Sequence, residues 1–231
     1  MIEFDNVQKT FNGHPVFNRT SFHIHKNEVV GFLGRSGVGK STILKMVSGL
    51  TRPDSGTIKV SGSRIGYIFQ EPRLIPWKTA LENISFSLKA TGISLKDAKQ
   101  TAIEYMDKVD LRGYEDYYPN QLSGGMRQRV SIGRAFAINP DILLMDEPFS
   151  ALDLGLKDVM LGIIRDMLSR QPLTLLYVTH DPDEVSRLAM RLLLLLDGGI
   201  IQEIPLDPNR NYKKMLRKRF CNRNLKNRRN T

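Results

Sequence analysis

The sequence predicts an α/β protein: a parallel-sheet core entered from an antiparallel N-terminal β region and interrupted by a mostly helical lobe. Three observations carry that expectation. A short apolar run at 28–33 enters a glycine-rich loop and then a helical pattern, the opening unit of a doubly wound sheet. Strand-like apolar runs return at 142–145, 173–179 and 192–196. Between 71 and 140, apolar residues recur instead at three- and four-residue spacing.

Taken in order, residues 2–30 alternate apolar stretches with turn signals, and Asn12-Gly13 is a hairpin turn because both residues tolerate positive φ. The helix after the glycine loop runs over about 40–49. Pro53, Asp54, Ser55 and Gly56 make a turn before strands at 57–60 and 65–69. The lobe contributes helices at 79–91, 95–110 and 126–138, and a further helix fills 156–169 between two core strands. The resulting division is a core of 1–70 and 141–209, a helical subdomain of 71–140 and a tail of 210–231.

The chain has 231 residues, 41% of them hydrophobic and 25% charged, which excludes a disordered or fibrous protein. The longest apolar run, 192–196, is five residues, far below the roughly 18 of a membrane span. The N-terminal residues lack a signal-peptide pattern, and the single Cys221 has no internal partner, which suits a reducing compartment. The formal charge of +10 is uneven. Residues 210–231 hold ten Lys and Arg and no acidic residue, and without them 24 basic residues face 24 acidic ones. A neutral body with a basic tail argues against nucleic acid as a partner.

Gly34-Arg35-Ser36-Gly37-Val38-Gly39-Lys40-Ser41 fits G-x-x-x-x-G-K-[ST]. Glycines let the backbone N–H groups turn inward, and the following helix adds its positive dipole end. Lys40 reaches the β- and γ-phosphates of a nucleoside triphosphate, and the Ser41 hydroxyl can ligate Mg²⁺. The complementary acidic residue stands in Asp141-Ile-Leu-Leu-Met-Asp146-Glu147-Pro148. The run 142–145 brings Asp146 to a strand's carboxyl end to hold Mg²⁺ through water, and Glu147 can polarise a water in line with the γ-phosphate. His180 and Gln70 also end predicted strands, so either serves at that edge or is structural.

Leu122-Ser123-Gly124-Gly125-Met126 precedes a lobe helix; Ser123 is a good cap, and two glycines leave the first N–H groups uncovered. LSGGM, followed by RQRVSIGRAF and about twenty residues later by DILLMDEP, resembles the signature of the ABC-type ATPases. In that resemblance Gln70 is the Q-loop, Ser150 to Asp153 the D-loop, His180 the H-loop, and Phe11 the adenine-stacking aromatic that is usually Tyr. It covers about residues 1–205 with every motif in order. A GTPase would also carry N-K-x-D, which is absent.

The resemblance implies a P-loop core of ABC ATPase type that binds ATP and Mg²⁺ and works as a head-to-tail homodimer. Each ATP would lie on Gly34 to Thr42 of one subunit and be covered by Ser123, Gly124 and Gly125 of the other. Glu147 would be the catalytic base, His180 the γ-phosphate contact and Gln70 a ligand to Mg²⁺ or the attacking water. Asp153 would couple the two sites.

Glu71-Pro-Arg-Leu-Ile-Pro-Trp77-Lys-Thr-Ala-Leu-Glu-Asn83 resembles bacterial importer ATPases for nitrate, sulfonates and taurine, or pyrimidine vitamin precursors. That likeness implies a peripheral subunit on the cytoplasmic face of the membrane, under permease subunits served by an extracytoplasmic solute-binding protein. Trp77 and Leu74 are then anchors in a permease-receiving groove, or Trp77 is lobe packing. Tyr114, Tyr117 and Tyr118 read as lobe packing. The alternative is a soluble ABC ATPase such as that of iron–sulfur cluster assembly. In the tail, Asp207-Pro208 can start a basic helix suited to anionic lipid, the other reading being a solvated tail.

Overall fold

In the computed structural model, which describes residues 1–150, 152–199 and 201–206, two sheets organise the chain. The element order is β1 (Ile2–Phe11), β2 (His14–Ile24), β3 (Val29–Gly34), α1 (Lys40–Val47), β4 (Ser55–Val60), β5 (Ile65–Ile68), α2 (Ala80–Lys89), α3 (Leu95–Lys108), α4 (Gly124–Ala137), β6 (Ile142–Asp146), α5 (Leu154–Arg170), β7 (Thr174–Thr179), α6 (Pro182–Leu188), β8 (Arg191–Leu195) and β9 (Ile201–Pro205). The first sheet is antiparallel with order β2-β1-β4, and its hairpin turns at Asn12 (φ 49°) and Gly13 (φ 79°) as the dipeptide predicts. The second sheet has order β5-β6-β7-β3-β8-β9, parallel except for β9. The α/β class, the N-terminal antiparallel region and the helical interruption are thus as expected.

Side-chain alternation shows why the core strands are apolar throughout. Val30, Phe32, Leu144, Leu176 and Val178 point to one face, beneath α1 and the antiparallel sheet, where Phe4 stacks on Phe22. Leu143, Met145, Leu175 and Tyr177 point to the other, into a layer shared with α2, α3, α4 and α5. Burial on both faces leaves no polar side to the strand, the usual condition of a parallel sheet under helices. Full burial of each such side chain contributes roughly 1.5–3 kcal/mol.

Helix starts are set by caps. Thr79 and Glu82 form a capping box on α2, and Ser94, Ser123 and Asp153 each accept an amide N–H at the start of α3, α4 and α5. The last two caps place α4 and α5 two residues earlier than their apolar periodicity suggests. Two elements escape the sequence reading. Helix α6 is seven residues, too short for periodicity, although Asp181 caps it and Pro182 occupies its first position. Strand β9 exists through antiparallel pairing with β8, a tertiary contact that overrides local propensity. The helix start read at Asp207-Pro208 and the basic tail 210–231 lie outside the described residues.

Candidate active site

The carboxyl ends of β3, β5, β6 and β7 open on one edge of the sheet, and each delivers a residue picked out by the sequence. After β3 the chain crests through exposed Arg35, Ser36 and Gly37, turns inward at buried Val38 and enters α1 at Lys40. Gly39 has φ 104°, and a Cβ there would overlap Val16 and Phe17 of β2, so only glycine lets the loop close under the antiparallel sheet. Lys40 is 4% exposed; its ammonium donates to the carbonyls of Gly34 and Arg35, both at 3.0 Å, and lies 3.3 Å from Glu147 Oε1. Ser41 Oγ donates to Asp146 Oδ1 at 2.7 Å.

Glu147 leaves β6 with φ 43°, held there by its N–H donating to the Val178 carbonyl at 2.9 Å. A non-glycine residue in that region is strained and persists because the surrounding structure determines it. The turn directs the carboxylate between two cationic or polar groups, with Oε1 toward Lys40 and Oε2 at 2.9 Å from His180 Nδ1. His180 directly follows β7 and is half exposed. Gln70 follows β5 by two residues and donates through Nε2 to Ser150 Oγ at 3.1 Å, in the segment after Glu147.

One neighbour was not anticipated. Tyr67 of β5 places its hydroxyl 3.4 Å from Asp146 Oδ2, and burial, with the Asp146 charge adding to it, pushes the phenol pKa well up. A tyrosine in a strand has no sequence signal that separates this role from packing. Beyond β5, Phe69 stacks on Tyr67 with ring centroids 4.0 Å apart, and Arg73 covers the Phe69 ring. Arg134 of α4 donates to the carbonyls of Pro72 and Arg73, fastening the segment after Gln70 to the helix that Ser123 caps.

The remaining candidates stand apart. Phe11 ends β1, 44% exposed, with Lys9 Nζ 5.1 Å from its ring centroid. Ser123 and Gly124 are exposed, whereas Gly125 is buried against Leu156 of α5, and Asp153 caps α5 at the surface. Among the described residues, no hydrogen bond or ion pair joins Ser123, Gly124 or Gly125 to residues 34–42 of the same chain. Ser123 and Gly125 line a separate hollow with Asp110, Arg129 and Leu156.

Trp77 is 75% exposed and therefore not a packing residue, while Leu74 is part-buried against the main core and is the weaker anchor of the two. Phe86 and Leu95, both exposed, flank a hollow between α2 and α3 on this lobe. Tyr114, Tyr117 and Tyr118 are 40–45% exposed, correcting their assignment to packing.

An oxygen-only set for a hard cation fits the Ser41–Asp146 pair. Together with the glycine cradle this is the architecture of a P-loop nucleoside-triphosphatase. The chain belongs to the ABC transporter family, whose model matches residues 17–150, and it is an ATPase of that family. It is 41% identical to the nitrate import ATP-binding protein of Synechocystis sp., over 92% of this chain and 88% of that one. It is 39% identical to the aliphatic sulfonates import ATP-binding protein of Corynebacterium glutamicum, over 87% and 82%. Among solved structures, a dimeric post-hydrolysis ATP-binding cassette bound to ADP and Pi superposes with a TM-score of 0.82 at 30% identity, covering 90% of this chain and 99% of that one.

Proposed function

We propose that this chain is the ATP-binding and ATP-hydrolysing subunit of a membrane importer for a small anion or organic solute of the nitrate, sulfonate or taurine kind. The observation that carries the hydrolytic part is Glu147, aimed by a strained turn between Lys40 and His180. Glu147 takes a proton from the attacking water as that oxygen bonds the γ-phosphorus and the bond to ADP breaks. Lys40 and the N–H groups of residues 34–42 hold the phosphates, and His180 contacts the γ-phosphate. Ser41, Asp146 and Gln70 hold Mg²⁺, which when bound neutralises charge on the phosphates. Phe11 stacks on adenine.

The separation of Ser123, Gly124 and Gly125 from the cradle supports their acting on the ATP of a second copy, with Asp153 coupling the two sites across a head-to-tail homodimer. Residues 71–140 then form the signature subdomain, between core segments 1–70 and 141–209. The likeness to import ATPases and the exposed Trp77 support a place at the cytoplasmic face of the membrane, under permease subunits fed by a solute-binding protein. Anionic lipid is the partner proposed for the basic tail.

Glu147→Gln tests the core of this reading. ATP binding should persist while steady-state turnover falls by about 10²-fold or more and an ATP-bound dimer accumulates on gel filtration. Near wild-type turnover would remove Glu147 as the base.

A further inference from the structure

Behind the active edge lies a buried ionic node that the hydrolytic chemistry does not use. Glu184 of α6 is 3% exposed. Its Oε2 accepts from Thr179 Oγ1 at 2.7 Å and from the Tyr177 hydroxyl, and its Oε1 lies 2.6 Å from Lys157 Nζ. Lys157, in the first turn of α5 and 14% exposed, also donates to Asp181 Oδ2 at 2.9 Å. The Asp181 N–H in turn donates to Thr179 Oγ1 at 3.0 Å. Thr179 and Asp181, the two neighbours of His180, are therefore both fixed to one node.

The node also reaches the other chemical segments. Tyr177 meets Phe149, two residues after Glu147, edge to face with centroids 6.3 Å apart. Lys157 stands one turn after Asp153, whose carbonyl accepts the Lys157 N–H at 2.9 Å. Although burial opposes the charged carboxyl, Lys157 and the Asp183 amide hold Asp181 below the ordinary carboxylate range. Removing the lysine charge takes from Asp181 and Glu184 the cation that both contact, and the buried Glu184 carboxylate, left without it, has to relax from its place.

We infer that Lys157 is a positioning residue for hydrolysis: through Asp181 and Glu184 it holds His180 against Glu147 and ties that geometry to the Asp153 turn. This rests on the catalytic reading of Glu147 and His180 above. An active-site displacement of about 1 Å can cost on the order of 10²-fold in rate.

The test is steady-state ATPase of the full chain carrying Lys157→Met, Lys157→Arg, Asp181→Asn and His180→Ala, with melting temperature measured for each. Lys157→Met should lower kcat by about ten- to hundredfold while changing the ATP KM by less than about threefold. Lys157→Arg should restore most of the loss, and Asp181→Asn, which leaves the Lys157–Glu184 pair, should fall between. Combined with His180→Ala, Lys157→Met should cost little more, because the lysine acts through the histidine. Wild-type kcat in Lys157→Met, no recovery with arginine, or losses that multiply with His180→Ala would each overturn the inference. If Lys157→Met does not fold, an unaltered kcat in Asp181→Asn overturns it. Undiminished turnover in His180→Ala alone would instead refute the reading of the site on which it rests.

Discussion

Ser41 Oγ donates a 2.7 Å hydrogen bond to Asp146 Oδ1, closing a contact between residues 105 positions apart and across strand β7, which separates β3 from β6. On the proposed Mg²⁺ role, the bond aligns two oxygen ligands in advance, so the cost of ordering them is already met in folding. Ser41→Ala would then remove one ligand and free the other. A hydrogen bond to a charged group contributes about 1.5–3 kcal/mol, so ATP turnover should fall roughly ten- to hundredfold and the Mg²⁺ concentration for half activity should rise. Ser41→Thr keeps a hydroxyl and should keep most activity. An Mg²⁺ titration in which Ser41→Ala has the wild-type midpoint would show that the hydroxyl is not a ligand.

Where the sequence was legible, the chemistry was contiguous. Residues 34–41 and 141–148 are unbroken motifs whose loop and strand follow from glycine conformations and an apolar run, and in the fold Ser41 meets Asp146 and Lys40 meets Glu147. Glu147 was legible as a residue, but its φ of 43° comes from the Val178 carbonyl on the neighbouring strand. The Lys157 node was illegible because its members sit on α5, β7 and α6, each ordinary in its own segment. Tyr67 and β9 were missed for the same reason: partners far along the chain define them. Trp77 is ambiguous in the sequence, since an aromatic in a helical lobe packs inward more often than not, and its exposure in the fold decides between the two readings.

Asn83 explains how Trp77 is presented. It is fully buried; its Oδ1 accepts from Ile75 N at 2.8 Å and its Nδ2 donates to the carbonyls of Ile75 (3.2 Å), Lys78 (3.0 Å) and Thr79 (3.0 Å). One side chain thus satisfies the backbone of the loop that holds Trp77 outward. Asn83→Ala takes the partner from Ile75 N and from the Lys78 carbonyl, while the Ile75 and Thr79 carbonyls keep the Lys78 and residue-83 amides, and should cost about 2–4 kcal/mol, lowering Tm by roughly 5–15 °C. Trp77→Ser should change stability by less than about 0.5 kcal/mol, since an exposed ring has little packing to lose. Calorimetry of both variants checks the contrast, and a wild-type Tm in Asn83→Ala would show that the loop does not depend on the amide.

Asp141 supplies a pH-dependent tie between the start of β6 and the loop leading into β5. Its Oδ2 accepts from Arg64 N (3.0 Å), Ser63 N (2.9 Å) and Ser63 Oγ (3.1 Å), and these donors, the Arg64 amide foremost, hold its pKa below the ordinary 3.8. The folded state therefore prefers the ionised carboxylate, and on acidification the unfolded chain takes up the proton first. The stabilisation is fully present above the unfolded value near 3.8 and is lost as pH falls through the lower native value. Asp141→Asn keeps an acceptor oxygen and removes only the charge, a loss of no more than about 1 kcal/mol for a group in partial contact with solvent. Urea midpoints should therefore place Asp141→Asn slightly below the wild type at pH 6, with the gap closing toward pH 3. A gap that stayed constant across that range would mean that ionisation of Asp141 contributes nothing to the tie.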